Sequence, residues 1–204
     1  MKIEPERFLK QIEFLIEIDK LKHILRKSKI FDGSRFENDA EHAWHLGVMA
    51  LVLAEHANYS NMDIAKVIKM VLIHDLVEID AGDVIVYDTD KRVLAHENEK
   101  NAAERLFGLL PQDQKNEFME LWQEFEARKS SESKFAAAID RFEPILQNHL
   151  TEYYAWKKHG VTSSQLYEKN KHIQDGSKKI WEIVQQIFAE AGDRGELGNS
   201  VKTE

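Results

Sequence analysis

A histidine and an aspartate stand side by side in Met70-Val71-Leu72-Ile73-His74-Asp75-Leu76-Val77-Glu78, where six of the nine residues are apolar. The run before it carries Ile64, Ala65, Val67 and Ile68 at helical spacing. A helix this apolar is largely buried, and burying an unpaired carboxylate costs several kcal/mol. Asp75 therefore needs a partner. A metal ion would use both side chains together: adjacent helical residues diverge by about 100°, yet both can reach one ion where a helix ends. The alternative is a hydrogen-bonded core histidine beside a helix-end aspartate.

Two further residues supply what a metal would still lack. His42 falls in the first turns of the preceding helix, in Glu37-Asn38-Asp39-Ala40-Glu41-His42, and Asp140 lies inside the Ala-rich run Phe135-Ala136-Ala137-Ala138-Ile139-Asp140-Arg141-Phe142. Each has an ordinary reading alone, His42 as a helix-surface residue and Asp140 as the partner of Arg141 or another base. Taken with His74 and Asp75 they make two imidazoles and two carboxylates, a set that suits a divalent transition metal with positions open to water and substrate. Manganese, cobalt, nickel, iron and zinc all fit, and the sequence does not choose among them. Such an ion makes water easier to deprotonate near neutral pH and draws charge from a phosphoryl oxygen. Glu78, one helical turn after His74, lies on the metal side, where a carboxylate can orient the water or move a proton; its plainer reading is a solvated residue at a helix end. The other histidines lack ligand spacing, although His45, three after His42, is placed to touch it.

The elements that must position these residues read as helices almost throughout. Pro5 suits a helix start, and Phe8, Ile12, Phe14, Leu15, Ile18 and Leu21 form an apolar face that Ile24 and Leu25 extend. Phe31-Asp32-Gly33-Ser34 is a turn signal. A second helix begins near Asn38-Asp39, both good caps, and runs to His56. Residues 58–61 break the chain before a central helix over 62–78, and residues 79–83 end it in a loop. Val84-Ile85-Val86-Tyr87 has strand propensity without a pairing partner and is read as an ordered loop. Further helices are expected over 97–109, 111–128, 134–158 with a bend at Pro144, and 165–190 with an interruption near Asp175-Gly176. The fold class is all-α, a single domain of about six or seven helices over residues 1–191, followed by a frayed polar tail over 192–204.

Composition sets bounds on function. The chain has 204 residues, no cysteine and a formal net charge of −8. Its length suits one domain with a sizeable core. Without cysteine there are no disulfides and no thiolate metal sites, which fits a reducing cytoplasm. No N-terminal signal core and no run of roughly 20 apolar residues is present, so no membrane association is expected. The acidic balance argues against a nucleic-acid surface, and an anionic small substrate would need a local basic patch.

His42, His74-Asp75 and Asp140, on successive helices in this order, resemble the pattern of the HD-domain metal-dependent phosphohydrolases. Glu37-Asn38-Asp39-Ala40-Glu41-His42 and His74-Asp75-Leu76-Val77-Glu78-Ile79-Asp80-Ala81-Gly82-Asp83 resemble the bacterial 5′-deoxynucleotidases and their uncharacterised HD-domain relatives, over about residues 8–145. The resemblance implies an all-helical homodimer that hydrolyses deoxyribonucleoside 5′-monophosphates to nucleoside and phosphate. It implies His42, His74, Asp75 and Asp140 as metal ligands, and Glu78 and Asp83 at the attacking water and the substrate. Asp83 follows Gly82 in a loop, where a turn-forming role is the alternative.

The phosphate end calls for cations. Lys20, Lys22, Arg26, Lys27, Lys29 and Arg35 crowd the segment ahead of His42, where the family places a phosphate-binding arginine. Arg26 is the first choice for that role, with Lys22 and Arg35 as the other candidates; a charge run is otherwise a solvated face. The chain departs from the family in having Arg26-Lys27 where an arginine is followed by tryptophan, and in lacking prolines after Asp83. The alternatives are another HD phosphohydrolase, acting on a triphosphate, an alarmone or a cyclic dinucleotide, and a metal-dependent ligand sensor. The alarmone hydrolases carry a Glu-Asp pair where this chain has Glu78-Ile79, and the Gly-Tyr-Pro motif of the cyclic-dinucleotide group is absent.

Overall fold

The structure is a computed structural model that describes residues 5–82 and 89–198. Helix α1 (Pro5–Ile18) is followed by a 3-10 turn, Asp19–His23, and by strand β1 (Leu25–Lys29). β1 pairs antiparallel with β2 (Phe36–Asn38), with Leu25 opposite Asn38 and Lys29 opposite Phe36. This hairpin replaces the expected continuation of the first helix: Leu25 is an exposed strand residue, and the Phe31–Ser34 turn closes the hairpin.

Helix α2 (Asp39–Leu53) starts where the sequence placed it. Asn38 accepts from the Glu41 amide at 3.0 Å, and Glu41 reaches back to the Asn38 amide at 3.4 Å, a reciprocal cap that fixes the first turn. Helix α3 (Ile64–Ile73) is capped by Asp63 and is shorter than expected. The chain then tightens into a 3-10 turn, His74–Val77, and a last short helix α4 (Glu78–Ala81) ends at Gly82, whose φ of 74° puts it in the left-handed region. Of the loop expected over Val84–Asp90, residues 84–88 lie outside the described residues, as does Asp83, and Thr89 and Asp90 instead open the next helix.

Helices α5 (Thr89–Phe107) and α6 (Gln112–Ala127) lead to α7 (Ser131–Leu150), which occupies the centre. Its Phe135, Ala136, Ala138 and Ile139 are fully buried, and α2, α3, α6 and two later helices pack on it. The small side chains let those helices come close, as their spacing in the sequence suggested.

α7 stops at Leu150 instead of running on to Lys158. Glu152 and Tyr153 take left-handed backbone angles, the fully buried Tyr153 ring packs into the core, and α8 (Tyr154–His159) leaves in a new direction. The expected C-terminal helix divides into α9 (Ser163–Asn170), α10 (Ile173–Gly176) and α11 (Lys178–Asp193). The interruption falls at Gly176 because α10 lies directly on α7: a Cβ there would sit 2.3 Å from the Lys134 carbonyl oxygen and 2.8 Å from the Ala138 Cβ. The end of the described chain is not frayed, contrary to expectation. The Gly198 amide donates to the Val161 carbonyl at 2.9 Å, and Lys157 pairs with Glu196 at 3.1 Å.

Candidate metal centre

Three elements bring their polar residues to one buried point. His42 comes from the first turns of α2, held by the Asn38–Glu41 cap. His74 and Asp75 come from the 3-10 turn after α3, and Asp140 from the middle of α7. Nδ1 of His74 lies 2.9 Å from the Val71 carbonyl. A carbonyl only accepts, so Nδ1 carries a proton and Nε2 is the atom left to meet a metal or a second proton. Nδ1 of His42 lies 3.2 Å from Oε2 of Glu143. Burial opposes the Glu143 charge, but hydrogen bonds from His42 and His45 prevail and hold its carboxyl at about 2. The ionised Glu143 therefore accepts from His42 Nδ1, which leaves Nε2 as the atom turned to the centre; burial and Arg26 oppose a charge on this ring, but Asp140 and Glu143 outweigh them and raise its pKa.

Those two nitrogens face two carboxylates. His42 Nε2 is 3.1 Å from Asp140 Oδ1, and His74 Nε2 is 3.5 Å from the same oxygen. Asp75 Oδ1 is 3.0 Å from His74 Nε2, out of line for a hydrogen bond, so that buried nitrogen lacks one. Asp75 Oδ2 is 3.8 Å from His42 Nε2. Donor atoms of His42, His74 and Asp140 all lie within 4.8 Å of one another. Four electron-rich groups converging out of water require a cation among them. A divalent metal fits this donor set. A proton is the other candidate: burial disfavours a charged His74, but Asp75 and Asp140 outweigh it and lift the ring to about 10. Asp140 is pushed well below the carboxylate range, by Arg141 and the two histidines against the cost of burial.

One cavity opens beside this cluster, lined by Arg26, His74, Asp75, Glu78, Asp140 and Arg141. Arg26, on β1, is largely covered, its side chain 13% exposed, with Nη1 3.0 Å from Asp75 and 3.3 Å from Asp39. The hairpin thus delivers the arginine to the metal-side carboxylate. Lys22 and Arg35 do not reach the cavity. Lys22 is exposed and pairs with Asp19; Arg35 is exposed and grips Glu41 through two hydrogen bonds of 2.7 and 2.8 Å. Arg141 lies 3.6 Å from Asp140, the pairing that the sequence alone allowed.

Several residues of the site were not singled out from the sequence. Glu143 and Gln147 follow Asp140 at three and seven residues, so all three share a face of α7; acidic and amide residues repeating on an apolar helix were the available signal. Glu37 and Asp39 sit within the quoted motif, Asp39 read there as a helix cap and Glu37 given no role. Burial and the Glu143 charge raise Glu37 to about 7. His172, by contrast, is a neutral core residue, driven to about 3 by burial and by Arg128 and Arg141.

The fold and this centre together define a class. Residues 18–181 match the HD domain family, and the chain belongs to it. A structure from Magnetospirillum magnetotacticum MS-1, described as a predicted metal-dependent phosphohydrolase, is 47% identical with a TM-score of 0.88, covering 95% of this chain and all of that one. The 5′-deoxynucleotidase HDDC2 of Bos taurus is 33% identical over 138 residues, 67% of this chain and 65% of that protein's length. The Xenopus laevis protein of the same name is 30% identical over 179 residues, 87% of this chain and 84% of that one.

Proposed function

We propose that the chain is a metal-dependent phosphomonoesterase that hydrolyses deoxyribonucleoside 5′-monophosphates to nucleoside and phosphate. The observation that carries this reading is the convergence of two imidazole nitrogens on the Asp75 and Asp140 carboxylates, beside the largely covered Arg26 and the Glu78 carboxylate. The names of the HDDC2 relatives support the substrate class.

In this reading His42, His74, Asp75 and Asp140 hold one divalent ion, of manganese, cobalt, nickel, iron or zinc. When bound, that ion supplies a water that deprotonates near neutral pH and an electrophile for the phosphoryl oxygen. Glu143 and the Val71 carbonyl fix the histidine tautomers and ring orientations. Glu78 orients the attacking water and takes its proton. Arg26 offers a planar, two-pronged donor to the phosphate. Asp83 is assigned to the sugar side on the family resemblance. Residues 1–191 act as one catalytic domain.

The protein is proposed to work as a homodimer in the cytoplasm, on a small-molecule nucleotide and not on nucleic acid. Trp44, Val48 and Leu51 make an exposed apolar stripe on α2, and Leu72 of α3 continues it over Gly47. No helix among the described residues is long and apolar enough to cross a membrane, and the chain lacks cysteine.

A metal-supplemented panel of deoxy- and ribonucleoside monophosphates, phosphodiesters and triphosphates, read by phosphate release, tests the reading. Cleavage of 5′-deoxynucleoside monophosphates is expected. Cleavage of only diesters or triphosphates would overturn the substrate class.

A further inference from the structure

A second cluster of ligand-type side chains lies on the far side of the His42 ring. Glu37 at the end of β2, His45 on α2 and Glu143 on α7 each present a donor atom, all within 4.8 Å of one another. Glu37 and Glu143 are 3% and 0% exposed. They face a cavity of about 250 Å³ whose wall also holds Gln147, Trp44 and Arg35.

The cations nearby are already shared. Arg26 Nε is 3.6 Å from Glu37 Oε2, but the same guanidinium serves Asp39 and Asp75. His42 Nδ1 is engaged by Glu143 Oε2 and is 3.7 Å from Glu37 Oε2. Arg35 is committed to Glu41. Gln147 gives an independent sign. Its Nε2 donates to Glu143 Oε1 at 2.6 Å, which fixes the amide orientation. Its Oε1 then has no hydrogen-bond donor, although the residue is only 1% exposed and lines this cavity. Oε2 of Glu37 is likewise buried without a hydrogen-bond donor. His45 Nδ1 lies 3.4 Å from Glu143 Oε1; that contact and a proton shared by the two carboxylates would serve Glu37, Glu143 and His45, but would leave the amide oxygen of Gln147 without a partner.

We propose that Glu37, His45 and Glu143, with the amide oxygen of Gln147, form a second cation site, for a first-row divalent transition ion. One imidazole, two carboxylates and an amide oxygen match the ligand preferences of Mn²⁺ and Zn²⁺. An ion with bonds of about 2.1 Å needs donors no more than about 4.2 Å apart, so the cluster closes on it with small rotations. The site adjoins the proposed catalytic centre, Glu143 lying 3.2 Å from the other face of the His42 ring, but it does not rest on the phosphohydrolase reading.

The test counts ions. The full chain is stripped with a chelator, equilibrated with excess Mn²⁺ by dialysis, and its bound manganese measured per chain. His45→Gln and the double variant Glu37→Gln/His45→Gln are treated alike, with circular dichroism confirming the fold. The expected result is one ion fewer in the double variant, with His45→Gln retaining the ion at least tenfold more weakly. A His74→Ala variant is expected to lose a different ion and keep this one. Equal counts and affinities in wild type and both variants would overturn the proposal, as a shared proton or water in the cavity would produce. Loss of turnover without loss of an ion in these variants would also overturn it, while absence of nucleotidase activity in wild type would strike the proposed function alone.

Discussion

His74 carries a charge conflict that makes metal loading depend on pH. Asp75 and Asp140 raise its ring to about 10, so below that pH the ion-free ring holds a proton that a metal must displace. Affinity therefore rises with pH, by about tenfold per unit between roughly pH 7 and 9, and flattens as the ring's own pKa is approached. Binding isotherms for Mn²⁺ across that range check this; a flat profile would mean that the ring is neutral in the free protein. Glu78 separates chemistry from binding. Glu78→Gln keeps the shape and removes the charge, so turnover should fall by roughly 10²-fold or more while metal content stays near wild type. An active Glu78→Gln protein would reduce this residue to a helix-end carboxylate.

The helices carrying the ligands were legible because each has a local signal: Asn38 as a cap, the apolar run into His74, and the alanines around Asp140. What could not be read was where neighbours override local preference. The β1–β2 hairpin was hidden because Leu25-Arg26-Lys27-Ser28-Lys29 has no apolar alternation, and it is this hairpin that brings Arg26 against Asp75. The end of α7 was hidden because Glu152 and Tyr153 take left-handed angles without a glycine, held there by burial of the Tyr153 ring. Lys22 and Arg35 were grouped with Arg26 by charge alone, and the structure separates them by the carboxylates each one meets. Gly176 is the element-scale position most open to test. Gly176→Ala would drive a methyl into the Lys134 carbonyl and the Ala138 side chain, and the forced shift of α10 from α7 should cost about 1–3 kcal/mol. Thermal unfolding should show a Tm lower by several degrees; an unchanged Tm would mean that the two helices separate freely.

At the scale of the whole molecule, a chain of net charge −8 that acts on phosphomonoesters, as proposed, would have to gather a phosphate dianion at one place. In that proposal Arg26 and the cation-demanding cluster do so, and the acidic remainder disfavours polyanions such as nucleic acid. Trp44, Val48, Leu51 and Leu72 form an exposed apolar stripe on α2 and α3, with Trp44 66% and Leu51 63% exposed, and it is the face the proposed homodimer would bury. Light scattering should give a dimer at micromolar concentration and a monomer for Leu51→Asp; a monomeric wild type would contradict the assignment of that face.

His42, His74, Asp75 and Asp140 are proposed to hold the divalent ion on which phosphomonoester hydrolysis by this chain would depend. The most direct measurement follows phosphate release from a deoxyribonucleoside 5′-monophosphate by chelator-stripped protein, before and after Mn²⁺ is returned, in wild type and Asp75→Ala. Release should be absent without the ion, restored by it in wild type, and not restored in Asp75→Ala, which should also fail to retain that ion. Full manganese occupancy and full activity in Asp75→Ala, or equal activity in stripped and loaded wild type, would contradict it.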